Sequence, residues 1–305
     1  QDSNSLKAYK YHINNYIQRN FMISTSLSAR LRELLIDGNC YNPATIFNPL
    51  SARLAGDVGF RLGIIPGKIL ALDFLSEPDL MLLTLSELTD TVRRIAKNTE
   101  IPLIVDADNG YGNALNVKRT VENLEDAGAS GISIEDTDLP IKFGALKKSD
   151  FLDIKEASKK IKMAVDSRES TSTCIIARTG CYSYTGFQDM IERGKAYESE
   201  GADAIFYVNI DTRNHIYEIS NHHKVPIILG NNSTELSLDE LADLGISVSL
   251  PGHKAYFIAM QAYKDAMQRL FETGNFGDYN IDMDKLSELS NEDIYSNLID
   301  KYMKG

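Results

Sequence analysis

The sequence predicts an α/β protein with the (β/α)8 architecture of a TIM-type barrel. Eight short apolar runs rich in Ile and Val alternate with amphipathic segments of helical period, and eight such units within roughly 250 residues are typical of this barrel. The runs are almost continuously apolar, as parallel strands are when helices cover both faces of the sheet. A doubly wound open sheet is the alternative. No Gly-x-Gly-x-x-Gly motif follows the first run, which weighs against a dinucleotide-binding fold.

The predicted elements follow in regular order from residue 26 onward. The segment SLSARLRELLIDGN predicts a helix, because Leu27, Leu31 and Leu34 share one face and Gly38 supplies a stop. Helical patterns then separate the strands, and most of them end in Gly or a polar cap. The predicted strands cover residues 44–47, 62–65, 102–105, 131–134, 174–177, 204–208, 225–229 and 246–250.

Two additions to the barrel are also predicted. Residues 1–25 are polar and aromatic without a clear period, and we interpret them as an N-terminal helical extension that packs on a neighbour. Residues 26–305 contain the barrel, which ends in a C-terminal helical segment. The chain is therefore expected to form one barrel domain with an appendage before it.

Composition is that of an ordinary globular protein and excludes several function classes. Of 305 residues, 43% are hydrophobic and 25% are charged, which is usual for a folded domain. The net charge of -11 argues against nucleic-acid binding, which requires a basic surface. No apolar run approaches the length of about 18 residues that would predict a membrane span. Three widely spaced cysteines predict reduced thiols and a cytoplasmic or organellar location.

Polar side chains follow nearly every predicted strand. The third run, PLIV, leads into Asp106 and Asp108, which share one side of the strand while Ala107 points to the other. Such a pair needs a cation or a raised pKa on one partner. Because active sites of these barrels lie at the carboxyl ends of the strands, we expect the following side chains to converge: Gly67 and Lys68 after the second strand, Glu135 after the fourth, Arg178 after the fifth, Asn232 after the seventh and His253 after the eighth.

Carboxylate oxygens without Cys or His pairs favour Mg²⁺, with Mn²⁺ as the alternative, over zinc. Two of the other side chains have open interpretations. Arg178 either pairs with a substrate carboxylate or developing oxyanion, or forms an internal salt bridge with Glu135 or Asp106. His253 either contacts substrate and transfers a proton or is a structural histidine. The pair His222-His223 lies in a polar segment and is expected at the surface.

Three motifs resemble the isocitrate lyase and phosphoenolpyruvate mutase superfamily. They are DADNGYGN after the third strand, IED at the end of the fourth and IART at the end of the fifth. The stretches CYNPATIFNPLSARLAGDVGF and GHKAYF are most similar to its oxaloacetate decarboxylase branch. The resemblance implies a Mg²⁺-dependent barrel that binds a small anionic α-keto acid. It also implies a homotetramer, a dimer of dimers, in which the last barrel helix is exchanged between subunits.

The resemblance also implies a role for each matched residue. Asp106 matches the direct metal ligand, and Asp79, Asp108 and Glu135 match acidic residues that hold the metal's waters. Arg178 matches the arginine that contacts substrate. His253 matches a histidine typical of the decarboxylase branch. The implied reaction is decarboxylation of oxaloacetate or a similar 2-oxo dicarboxylate.

Departures from the family pattern bear on two alternatives, of which the first is carbon–carbon lyase or phosphonate (P–C bond) chemistry on a related α-keto acid. The loop after the fourth strand, LPIKFGALKKSD, has no Cys, which argues against carbon–carbon lyase chemistry, and it has Lys142 but not the Asn of the phosphonate-cleaving members. After the second strand, Pro66 removes a backbone donor, and Lys68 adds a charge that suits a larger or more anionic substrate. Asn231-Asn232 stand where relatives often carry Tyr. The second alternative is therefore a catalytically degenerate barrel that only binds a metabolite.

Overall fold

A computed structural model of the chain describes residues 27–144, 150–231 and 234–304. The predicted appendage, residues 1–25, lies outside the described residues, and so does Asn232. The predictions made for these two parts of the chain therefore remain predictions.

The eight predicted strands are present and form one parallel sheet in sequential order, β1 to β8. Tyr41, which precedes the first strand, forms a parallel bridge with Val248 of the last, and this bridge closes the ring. The prediction of a (β/α)8 barrel is confirmed. The strands are β1 (Ala44–Thr45), β2 (Gly63–Ile65), β3 (Leu103–Asp106), β4 (Gly131–Glu135), β5 (Cys174–Thr179), β6 (Ala204–Val208), β7 (Ile227–Gly230) and β8 (Ile246–Leu250).

Helices separate the strands and extend the chain beyond the barrel. Many begin at side chains that cap free backbone N–H groups; Asn48, Thr84, Asn113 and Ser237 each form a capping box. The helices are α1 (27–36), α2 (Pro49–Val58), α3 (Gly67–Leu70, continued by a π-helical segment Ala71–Leu75), α4 (Leu85–Ala96), α5 (Ala114–Ala127), α6 (Ile154–Ser167), α7 (Tyr182–Thr185), α8 (Phe187–Ser199), α9 (Arg213–His222), α10 (Leu238–Asp243), α11 (Lys254–Thr273), α12 (Met283–Leu289) and α13 (Glu292–Tyr302).

Buried apolar side chains form two layers, one inside the barrel and one between strands and helices. The inner layer takes alternate strand residues such as Ile104 and Ile176, together with Leu31 of α1. A Cβ on Gly131, the first residue of β4, would lie 2.8 Å from Leu31. Helix α1 therefore closes the amino-terminal end of the barrel, and the site must lie at the other end, which we call the barrel mouth.

The last barrel helix does not pack against its own barrel. Tyr256 is the one buried residue of α11, while Phe271 is 92% exposed. The following helix α12 returns to α2, where Lys285 forms a salt bridge with Asp57 at 2.9 Å. The apolar side chains of α11 therefore form a large exposed surface, and soluble monomers rarely expose a surface of this kind.

Three further predictions can be compared with the fold. All three cysteines, Cys40, Cys174 and Cys181, are free and buried, as expected for reduced thiols. No helix in the described ranges has the length and apolar character needed to cross a membrane. The surface position predicted for His223 is wrong: its side chain is fully buried, because Tyr207 and Glu198 reach it from β6 and α8.

Candidate active site

The two acidic residues at the carboxyl end of β3 lie close together. Asp106 ends β3 and faces the barrel interior, because its neighbour Ala107 is fully buried in the outer layer. Asp108 lies just beyond the strand, and its N–H donates to Asp106 Oδ1 at 3.3 Å. Asp108 has a positive φ of 46°, and its carbonyl accepts a 2.7 Å hydrogen bond from the Glu135 N–H. The loop after β3 is therefore held against the end of β4 in a conformation that few residues other than Gly, Asn and Asp adopt.

Arg178 occupies the centre of this cluster. Its Nη1 donates to Asp106 Oδ2 at 2.9 Å, and its Nη2 donates to Glu135 Oε2. The three side chains are between 13% and 18% exposed, and the two carboxylates raise the pKa of the guanidinium further above its usual value although burial opposes this. Both internal salt bridges considered for Arg178 are thus present.

The charged forms of the other two acidic residues, Asp108 and Asp79, are disfavoured by their surroundings. Burial, together with Asp106 and Glu135, raises the pKa of Asp108 to about 8. Asp79, in the solvent-accessible loop before α4, also has a raised pKa, because partial desolvation and Asp106 disfavour its charged form more than Arg178 favours it. Excess negative charge of this kind is relieved by a bound cation.

The donor set fits a hard divalent ion that keeps most of its water. Within the described ranges, no three Asp, Glu, His or Cys side chains converge tightly enough to enclose a metal. Mg²⁺ does not need such a cage, because it commonly takes one or two carboxylates directly and retains several waters. Asp106 offers an oxygen ligand, and the raised pKa of Asp108 indicates that its charged form lacks a sufficient cationic partner, which such an ion would provide.

His253 lies at the end of β8, where α11 begins. Its Nδ1 is hydrogen-bonded to Thr45 Oγ1 of β1 at 3.0 Å, which leaves Nε2 as the nitrogen that can face a substrate. Burial lowers the pKa of His253, Lys68 lowers it further, and Asp106 opposes the change. His253 is therefore neutral at pH 7, with its ring orientation set by Thr45.

Gly67 and Lys68 lie beside the acidic cluster, as predicted. A Cβ on Gly67 would lie 3.3 Å from Asp108 Oδ1, so the backbone of α3 begins next to that carboxylate. The exposed Lys68 is near enough to lower the pKa values of both Asp79 and His253. The positive charge of Lys68 therefore balances part of the negative charge of the adjacent acidic cluster.

Thr45 is a site residue that the sequence did not reveal. The polar residues after each strand were the signal used, and Thr45 lies inside the first apolar run instead. Its contact with His253 depends on β1 and β8 being neighbours in the closed ring.

Comparison with known proteins places the chain in a family. The family profile described as phosphoenolpyruvate phosphomutase matches residues 31–271. The chain belongs to the phosphoenolpyruvate phosphomutase family. Two relatives named oxaloacetate decarboxylase, from Rhodopseudomonas palustris (strain BisB18) and Pseudomonas entomophila (strain L48), are 42% and 41% identical over 239 residues. The alignments cover 78% of this chain and 83% and 82% of the relatives.

Solved structures of the phosphoenolpyruvate phosphomutase fold agree with the architecture. A phosphonopyruvate hydrolase in complex with oxalate and Mg²⁺ is 29% identical with a TM-score of 0.82, covering 91% of this chain and 99% of that one. An oxaloacetate acetylhydrolase bound to 3,3-difluorooxalacetate is 25% identical with a TM-score of 0.82, covering 92% of this chain and 98% of that one.

Proposed function

We propose that the protein is a Mg²⁺-dependent decarboxylase of oxaloacetate or a similar 2-oxo dicarboxylate. The observation that carries the proposal is the cluster of Asp106, Asp108 and Glu135 around Arg178 at the barrel mouth. The oxaloacetate decarboxylases that are about 40% identical over most of the chain support an enzyme of the lyase type. The oxalate complex of phosphonopyruvate hydrolase supports a small anionic ligand and a divalent ion.

The residues that would hold the metal are the acidic ones. Asp106 is its direct ligand, while Asp79, Asp108 and Glu135 hold its waters. When bound, Mg²⁺, or Mn²⁺ in its place, supplies a Lewis acid for the negative charge that develops on the substrate's carbonyl oxygen as CO₂ leaves.

Other residues of the chain bind and orient the substrate. Arg178 faces the developing negative charge with a guanidinium already fixed by two carboxylates, so little reorganisation is needed during reaction. Lys68 and the backbone N–H of Gly67, at the start of α3, bind a substrate carboxylate. His253, or water, returns a proton to C3. Asn232, which follows β7 in the sequence, is also proposed to bind the substrate.

The proposal is tested by Asp106→Asn with Asp211→Asn as the matched control. Asp211 follows β6, and its side chain is 58% exposed, so its loss leaves the cluster intact. We expect the Asp106 variant to decarboxylate oxaloacetate no faster than free Mg²⁺ does and to lose Mg²⁺-dependent oxalate binding in calorimetry. A folded Asp106→Asn protein with the wild-type rate would refute the metal assignment.

Phosphonate chemistry is a second candidate, favoured by the likeness to phosphonopyruvate hydrolase. Lys142, on the loop after β4, forms a salt bridge with Asp138. If the protein releases phosphate from phosphonopyruvate faster than it releases CO₂ from oxaloacetate, phosphonate cleavage would replace the decarboxylase proposal.

Oxalate binding without turnover of either acid would favour a barrel that only binds metabolites.

We propose a homotetramer, a dimer of dimers, with α11 exchanged between subunits. The exposed apolar side chains of α11, such as Phe257 and Phe271, support a partner for this helix. Leu50, Leu54 and Val58 leave a matching apolar strip on α2. Analytical ultracentrifugation should give four times the chain mass, and a stable monomer at micromolar concentration would contradict the exchange.

Buried reduced cysteines and bacterial relatives favour a cytoplasmic location.

A further inference from the structure

Two buried polar atoms beside the acidic cluster have no hydrogen-bond partner among the described residues. One is Nε of Arg178, and the other is Oγ of Ser133, a residue of β4 that is 1% exposed. Buried polar groups in folded proteins are nearly always paired with protein or with ordered water. Two unpaired atoms in one region therefore indicate a shared partner.

The register of the sheet brings these two atoms to the same region. Ser133 precedes Glu135 by two residues, so both side chains face the barrel interior. In the sheet register, Ser133 lies opposite Asp106 on β3 and Ile176 on β5. Arg178 starts on β5 and reaches Asp106 on β3, so its side chain must cross the inner face of β4, which lies between them. The path of the arginine passes over Ser133.

We propose that Ser133 is a positioning residue for Arg178 and acts through one buried water molecule that joins Ser133 Oγ to Arg178 Nε. The two atoms form no direct hydrogen bond, although both are buried. Buried waters make about three hydrogen bonds, and the neighbouring carboxylate of Asp106 is the third partner. The proposal rests on the proposed function, because Arg178 acts on a substrate only if a keto acid binds at the mouth.

This water completes the set of contacts around the guanidinium. Nη1 and Nη2 are held by Asp106 and Glu135, and the water would hold Nε from the side of β4. Without the Ser133 hydroxyl the water loses one of its partners, and the plane of the guanidinium is free to tilt. An arginine that must match a planar carboxylate is sensitive to such a tilt.

The test compares Ser133→Ala with Ser130→Ala. Ser130, just before β4, is equally buried and its Oγ is also unpaired, but it lies at the other end of the strand from Arg178. Both variants remove one unpaired buried hydroxyl, so an effect on packing alone would be the same in both. Melting temperature, oxalate affinity in the presence of Mg²⁺, and kcat and KM for oxaloacetate are measured for each.

We expect the two variants to have similar melting temperatures and different ligand binding. Ser133→Ala should bind oxalate about ten-fold more weakly, as expected for the loss of one hydrogen bond to a charged group, whereas Ser130→Ala should bind it like the wild type. Ser133→Thr, which keeps the hydroxyl, should restore binding. Equal oxalate affinity in the Ser133 and Ser130 variants would overturn the proposal.

A crystal structure of the wild-type protein provides a readout that needs no ligand. Density for one water between Ser133 Oγ and Arg178 Nε, absent in Ser133→Ala, supports the proposal, and a wild-type structure with no water there overturns it. A failure of the proposed function can be distinguished from a failure of the inference about Ser133. If the wild type binds oxalate but decarboxylates nothing, and Ser133→Ala binds it more weakly, the decarboxylase is refuted while the role of Ser133 is retained.

Discussion

Arg178 of β5 and Asp106 of β3 form an ion pair across the inner face of β4, with 2.9 Å between Nη1 and Oδ2. The same guanidinium also binds Glu135 on β4 itself. The Arg178 side chain therefore links the carboxyl ends of three consecutive strands. The two ion pairs hold the guanidinium in a fixed position, and electrostatic stabilisation contributes most to catalysis when the stabilising group is fixed in advance.

Replacing Arg178 by Ala should lower kcat/KM for oxaloacetate about 100-fold or more, the typical effect of losing an oxyanion-stabilising donor. Arg178→Lys should recover little of this loss, because an ammonium lacks the planar fork that reaches Asp106 and Glu135 together. Steady-state kinetics measure both variants. Arg213→Ala is the control, since Arg213 forms an exposed salt bridge with Glu240 on the outer helices. Wild-type kinetics in Arg178→Lys would contradict a role for the fork geometry.

His253→Asn should lower the decarboxylation rate and change its pH profile. Burial lowers the pKa of His253 from 6.5, so its protonated form is present only in acid. If His253 donates the proton to C3, the wild-type rate should fall as pH rises through this lowered pKa. The rate of the His253→Asn variant should show no such fall. The expected loss in acid, where His253 is protonated in the wild type, is about 100-fold. A profile identical to that of the wild type would assign proton return to water. Thr45→Val, which removes the bond to Nδ1, should give a smaller loss.

Asp108→Asn should stabilise the metal-free protein at pH 8 and have less effect at pH 5. Burial and neighbouring carboxylates raise the folded-state pKa of Asp108 from 3.8 to about 8. The folded protein therefore binds more protons than the unfolded chain across this range, and stability is lost as pH rises towards 8. Urea unfolding in the presence of a chelator measures the difference. Asn tolerates the positive φ at this position, so the backbone is not disturbed. Equal stabilisation at both pH values would contradict the assignment.

His223 should contribute pH-dependent stability unrelated to catalysis. Its side chain is buried between Tyr207 and Glu198, and burial lowers its pKa below 6.5 although Glu198 opposes the shift. The unfolded chain then binds the extra proton first, so stability is present above pH 6.5 and is lost as pH falls below it.

The measurement for this histidine is the free energy of unfolding between pH 5 and pH 8. His223→Gln should lower it by about 1–3 kcal/mol at pH 7, as unpaired buried partners do, and should weaken its fall in acid. His222→Gln is the matched control, because His222 is the exposed neighbour. A similar loss of unfolding free energy in the His222 and His223 variants would contradict the role assigned to the buried contacts of His223.

The barrel was predictable because its signals are local. Parallel strands buried on both sides are apolar along their whole length, and amphipathic helices separate them. Strand alternation predicted that Asp106 and Asp108 share a side, and Ala107 in the outer layer agrees with this for Asp106. Asp108 lies beyond β3 with a φ of 46°, so its position next to Asp106 is set by the loop and not by strand alternation. The first strand is shorter than predicted, Ala44–Thr45 in place of 44–47, because Asn48 begins to cap α2 directly after Phe47.

Contacts between distant elements were not predictable in the same way. His223 sits in a polar sequence, yet Tyr207 and Glu198 enclose it from other elements, so composition gave the wrong prediction. Ser133 and Thr45 are single hydroxyl residues within apolar runs, and no periodicity or motif marks them. Their importance follows only from which strands are neighbours in the closed ring.

By itself, the sequence determined the order of strands and helices, the helix caps and the identity of the polar and charged residues that follow most of the strands. These depend on side chains close together in the chain, whose spacing is readable in one dimension. Only the tertiary structure decided that Arg178 binds both Asp106 and Glu135, that Thr45 orients His253, and that Tyr207 and Glu198 enclose His223. The physical reason is that ion pairing and burial depend on distance in space, and closing the barrel brings together residues as far apart as 45 and 253.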